Sequence, residues 1–165
     1  KRAFQLANLS MLIQMRHSET DLAGSEKSAE APSTFPSDYL ADTEKTRTWR
    51  PFQIAFLLTT IKSSVDPTSK DRDMVDLLWF PTGGGKTEAY LGLIGFSILH
   101  RRLLNPDSKG VTAVMRYTLR LLTAQQFQRA SSLIAACEYI RSQDSDTFGG
   151  YLWLTPFPSA LTSVS

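Results

Sequence analysis

Cysteine is nearly absent. Cys137 is the single one in 165 residues, so no intrachain disulfide can form, and a secreted, disulfide-stapled scaffold is excluded. Histidine is almost as scarce, and His17 and His100 stand too far apart in the chain to read as a metal-ligand pair. No apolar run approaches the roughly 18 residues that span a bilayer. The longest, residues 89–99, is interrupted by Gly92, Gly95 and Ser97, so no membrane partner is expected. Charge of one sign is lacking too: 18 Lys plus Arg against 16 Asp plus Glu leave a net charge of only +2, which does not by itself announce a nucleic-acid partner. Residues 1–17 lack the apolar block and cleavage site of a secretory signal, and the first residue is Lys1 rather than methionine. A fragment or processed chain in a reducing, cytoplasmic compartment is the expectation.

What is present is ordinary globular composition, 42% hydrophobic and 21% charged, enough for a core and unlike collagen, a coiled coil or a disordered chain. Three regions differ in texture. In 1–17, Leu6, Leu9 and Ile13 fall near helical spacing, with Met11, Leu12 and Met15 widening the stripe. Residues 18–47 read as an acidic linker: between 18 and 46, seven acids against two bases give −5, with nine Ser or Thr and two prolines. Its large apolar anchors, Phe35, Tyr39 and Leu40, are too few to offset ordering entropy. Residues 48–165 read as a partial α/β lobe. Pro51 opens a buried helix through Ile61, and residues 74–80 (MVDLLWF) form a short apolar run of the kind that writes a strand buried on both faces. Residues 88–104 are apolar nearly all round, as for a helix on a sheet, 111–117 suit a second strand, and 123–141 a second helix. Strand, helix, strand, helix is the order of a right-handed βαβ unit with parallel strands. Tyr151 starts a possible third strand, ended by Pro156 and Pro158. Within this scheme Trp49, Trp79 and Trp153 are expected in packed interiors, Cys137 in the core, and Gly92 and Gly95 where helix and sheet approach closely.

Between the first expected strand and its helix lies Pro81-Thr82-Gly83-Gly84-Gly85-Lys86-Thr87. Three consecutive glycines let the main chain turn its N–H groups towards an anion with no Cβ in the way, and the following helix adds its positive end. In such a loop a lysine ammonium serves the β- and γ-phosphates and a threonine hydroxyl serves Mg²⁺. Lys86 and Thr87 are therefore the candidate catalytic pair, with Thr82, Gly83, Gly84 and Gly85 as cradle and ATP with Mg²⁺ as the expected ligands. Phe80 stands where the strict phosphate-loop pattern G-x-x-x-x-G-K-[ST] has its first glycine. Glu88 is expected to stabilise the helix start.

The string from Trp79 to Gly92, WFPTGGGKTEAYLG, resembles motif I of superfamily 2 helicases and translocases, where the departure at Phe80 is normal. Arg50-Pro51-Phe52-Gln53, with Gln53 lying 33 residues before Lys86, resembles the R-P-x-Q element that contacts adenine in those proteins. The segment MRYTLRLLTAQQ, residues 115–126, resembles motif Ia, whose strand end and helix start touch nucleic-acid phosphates. Over roughly residues 49–141 the chain is most similar to the helicase component of DISARM anti-phage defence systems and its relatives. The resemblance implies a RecA-like parallel sheet, ATP binding through Arg50, Gln53, Lys86 and Thr87, and nucleic-acid contact through Arg116, Thr118, Arg120 and Gln125, with DNA favoured over RNA. It also implies defence-system partner proteins in a bacterial cytoplasm. Between residues 97 and 141, seven Lys or Arg against two acids give a local charge of +5, in line with such a contact. The Asp-Glu box that activates water in these motors is missing, so ATP binding is expected of this chain more than turnover. The alternative is a phosphate-loop ATPase switch in signalling or remodelling that never touches nucleic acid.

Overall fold

The computed structural model describes residues 1–23, 48–81, 83–117 and 120–152, with the side chains of 18–23 and 120–123 left aside. Its elements in chain order are α1 (Arg2–Ala23), α2 (Pro51–Val65), α3 (Lys86–Leu104), α4 (Arg120–Ser142) and the single turn α5 (Ser145–Phe148). The expected parallel sheet of a RecA-like lobe is not there: among the described residues every regular element is a helix. Residues 74–80 and 111–117 run without helix or ladder. Most of their apolar side chains face outward, with Val75 at 94%, Leu77 at 86% and Trp79 at 86% relative exposure, and Val111 and Val114 exposed as well, while Met115 packs against the core. An apolar run becomes a strand only when a neighbouring backbone takes its N–H and C=O groups and a second layer covers its side chains. Here the layer that a sheet would supply to α3 comes from helices.

That substitution is visible on α3, which packs against α1, α2, α4 and α5. Its all-round apolar sequence is thus satisfied by helical neighbours, and Ala89, Leu91, Gly92, Gly95, Phe96, Ile98 and Leu99 are buried. Gly92 and Gly95 do permit close approach, but to side chains from helical neighbours and not to a sheet. A Cβ on Gly92 would stand 2.7 Å from Cη2 of Trp49, and one on Gly95 would stand 3.0 Å from Oγ of Ser10. Small residues on α1 make the same contact from the other side, since Ala3, Ala7 and Ser10 are buried there beside Met11, Ile13 and Gln14. Ser10 Oγ donates to the Ala7 carbonyl at 2.8 Å and so needs no outside partner.

The core joins α1, α3, α4 and α5 through Met11, Ile13, Leu91, Leu99, Leu133, Cys137, Ile140 and Phe148. Burial pushes the Cys137 thiol up to about 12, which keeps it protonated and unreactive, in accord with a core role. Helix ends follow local chemistry. α3 stops at Asn105 just before Pro106. Asp144 caps α5 by accepting from the Thr147 N–H at 3.1 Å, and Arg2 from α1 reaches the same carboxylate at 3.2 Å. α1 runs on to Ala23, past the boundary expected at residue 17, while 24–47, the rest of the acidic segment, lies outside the described residues together with Trp153.

This arrangement predicts that Val75→Asp combined with Leu77→Asp changes unfolding stability by no more than about 0.5 kcal/mol in urea titrations, as surface substitutions do. A loss of about 2 kcal/mol or more would place the 74–80 segment in a core.

Candidate phosphate-binding loop

The loop is anchored on both sides by side chains from the start of α2. Arg50 is the residue before the helix, Pro51 is its first residue, and Gln53 takes the third helical position, where glutamine commonly reaches back to the N-cap amide. Gln53 Oε1 accepts from the Arg50 N–H at 2.8 Å, and its Nε2 donates to the Gly85 carbonyl at 2.7 Å. Arg50 Nη1 donates to the Gly84 carbonyl at 2.9 Å. One buried amide thus ties the beginning of α2 to the beginning of α3. Since trans peptides carry C=O and N–H on opposite sides, carbonyls 84 and 85 held towards α2 turn the N–H groups of Gly85 and Lys86 the other way. Those are first-turn amides that a helix itself leaves without acceptors.

The glycines are required here by space and by backbone conformation. A Cβ on Gly84 would lie 2.6 Å from Cδ1 of Phe80 and 2.9 Å from the Pro81 carbonyl oxygen. Gly85, the N-cap of α3, sits at φ +91°, and a Cβ there would meet Gln53 Nε2 at 2.8 Å. Phe80, which replaces the leading glycine of the strict motif, stacks on Phe52 of α2 with ring centroids 3.9 Å apart. The Gly84 N–H donates to the Pro81 carbonyl at 3.1 Å, closing the turn. Lys86 folds back along it, its ammonium donating to the carbonyls of Phe80 and Pro81. Thr87 is half-buried in the first turn of α3, and Thr82 lies outside the described residues.

Arg50, Gln53, Gly83, Gly84, Gly85, Lys86 and Thr87 are therefore neighbours in space as the sequence expectation requires. Arg116 and Gln125 are both exposed, Arg120 opens α4 with its side chain not described, and Thr118 is outside the described residues. Trp79, expected in an interior, is exposed just before the loop. Much of the +5 charge is engaged internally: Arg101 donates to Ser108 and to the Lys109 and Val111 carbonyls, and Arg102 to the Pro106 and Tyr151 carbonyls. Arg141 pairs with Glu138 at 2.8 Å and donates to the Gly149 carbonyl at 2.9 Å. The Glu138 hydrogen bond raises the Arg141 guanidinium further above its usual range. Arg129 of α4 donates to Glu88 of α3, a pairing across 41 residues that no local sequence signal marks. Burial holds the Arg129 guanidinium below its usual range. No group of three or more metal-ligating side chains occurs among the described residues, and no helix there is long and apolar enough to cross a membrane.

Comparison with known proteins finds the DISARM protein DrmA of Bacillus paralicheniformis, 56% identical over an alignment of 107 residues that covers 61% of this chain and 10% of that protein. The chain spans about a tenth of the length of this curated relative. No family model matches the chain, and no solved structure matches it.

Because Gln53 is 5% exposed and serves two backbone groups, Gln53→Ala should lower the unfolding free energy by about 1–3 kcal/mol. Gln53→Glu should do comparable damage, because a carboxylate still accepts from the Arg50 N–H but cannot donate to the Gly85 carbonyl. Urea midpoints measure both, and two unchanged midpoints would contradict the tie.

Proposed function

We propose that this chain is the ATP-binding part of a DNA helicase or translocase of superfamily 2 type that serves DISARM anti-phage defence alongside partner proteins. The observation that carries the proposal is the Gly83–Gly85 turn, fixed by Arg50 and Gln53, leading straight into α3 with Lys86 and Thr87 in its first turn. The 56% identity to the DISARM protein DrmA supports the defence role. The proposal stands on the loop and its helix and asks nothing of a sheet.

The residues fit a polyphosphate on steric and electrostatic grounds. The turn is closed to any side chain at Gly84, while a Cβ on Gly83 would meet nothing within 4 Å, so the outer face of the turn is open. The N–H groups of Gly85 and Lys86 and the positive end of α3 form an anion site of the kind found at helix starts. Lys86 exchanges the Phe80 and Pro81 carbonyls for phosphate oxygens, a strong charge-assisted contact in place of two weaker ones. Thr87 supplies the hydroxyl for Mg²⁺, whose own charge offsets that of the phosphates. Arg50 and Gln53 serve the nucleotide by fixing the loop from the α2 side, since Gln53 has both amide atoms engaged with backbone groups. No adjacent Asp-Glu pair occurs in the 165 residues, so binding, and not turnover, is the activity assigned to this chain.

Engagement of Arg101, Arg102, Arg129 and Arg141 in internal contacts favours a second reading, a nucleotide-dependent switch without nucleic-acid contact. Salt separates the two. The log affinity of a DNA-binding chain falls linearly with log salt, with a slope of about −0.9 per phosphate neutralised, and Arg116→Ala with Arg120→Ala flattens it. Absence of DNA binding at low salt favours the switch.

For the nucleotide itself, Lys86→Ala should weaken a fluorescent ATP analogue by at least about tenfold while the circular dichroism spectrum stays helical. Unchanged affinity would reject the loop as the site.

A further inference from the structure

Glu88 lies two residues beyond Lys86, and its Oε2 comes within 3.4 Å of where a Cβ on Gly85 would stand. Its carboxylate is thus lodged beneath the loop, on the side of Gln53, a loop's thickness from the amides turned outward. A carboxylate in the first turn of a helix is favourable for the helix. Beneath a phosphate site it is also a like charge, partly withdrawn from water, where repulsion is weakly screened. Arg129 answers that charge. It projects from the middle of α4 and donates to Glu88 Oε1, with side-chain exposures of 33% for the arginine and 23% for the glutamate. Among the described charged groups at the loop, Arg50 is engaged with the Gly84 carbonyl and Lys86 with those of Phe80 and Pro81, so Arg129 is the cation bonded to Glu88.

We propose that Arg129 is a positioning residue of the nucleotide site: it neutralises and tethers Glu88, so that a polyphosphate can settle on the Gly83–Thr87 turn without opposing a bare carboxylate. The proposal rests on the loop being the phosphate site. It makes α4, which begins at Arg120 in the segment resembling a nucleic-acid contact, electrostatically continuous with the loop through one ion pair. Arg129 acts through Glu88 and touches no phosphate.

The test is a double-mutant cycle read by binding of MgATP and of inorganic tripolyphosphate. Arg129→Met, which keeps the apolar stem, should weaken both ligands by about tenfold, because it leaves the half-buried Glu88 without its partner. Arg129→Met together with Glu88→Gln removes both charges, should fold, and should bind both ligands within about threefold of the unaltered chain. Arg129→Lys should keep most of the affinity. A double variant as weak as Arg129→Met would overturn the proposal, since it would mean that the guanidinium itself contacts phosphate, and so would an Arg129→Met variant that binds normally. Should Arg129→Met fail to fold, the double variant decides alone, because it lacks the arginine and yet must bind. An unaltered chain that binds neither ligand defeats the phosphate-site reading itself, a result distinct from every other arm.

Discussion

The amide of Gln53 is the interaction on which the rest of this structure turns. With one atom it satisfies the backbone N–H at the start of α2, and with the other it holds the last loop carbonyl before α3. Without it the link between the start of α2 and the three-glycine turn, whose residues have the most freedom to lose, would rest on Arg50 and the Phe52–Phe80 stack. Neighbouring contacts reinforce the same junction. Trp49 lies against Gly92 in the second turn of α3 and donates its indole N–H to Asn8 of α1 at 2.7 Å, so the position of the loop is referred to three helices at once. A glycine-rich loop that must present amides in one arrangement needs such external fixation, because nothing in its own sequence supplies it.

The sequence made the loop legible because its requirements are local. Consecutive glycines, a lysine and a threonine ahead of an apolar helix constrain one another within a few residues. The helices at 51–65, 86–104 and 120–142 were legible for a similar reason, since a Pro at the start, a stop before Pro106 and apolar spacing act over a few turns. Contacts across the chain were not. Gln53 was recognisable as a loop neighbour only through the R-P-x-Q resemblance, and nothing near Glu88 announces Arg129, 41 residues away.

The strands show the opposite failure. Residues 74–80 and 111–117 carry the composition of buried strands, yet composition fixes neither a hydrogen-bonding neighbour nor a covering layer. In the described structure α1 and α4 take the place on α3 that a sheet would occupy, and small residues such as Ala7, Ser10 and Gly95 are what let them come so close. Trp79 was misplaced for the same reason. Arg101, Arg102 and Arg141 keep their charge while hydrogen-bonding carbonyls and a carboxylate that tie down chain segments after α3 and α4.

The central claim is that the tethered turn before α3 presents its outward amides to a polyphosphate. Backbone amide resonances followed during addition of MgATP measure this directly. The account predicts that the Gly85 and Lys86 signals shift first and furthest, with inorganic tripolyphosphate producing the same pattern at those two positions. Signals there that stay fixed while the nucleotide binds, or shifts confined to other helices, would contradict it.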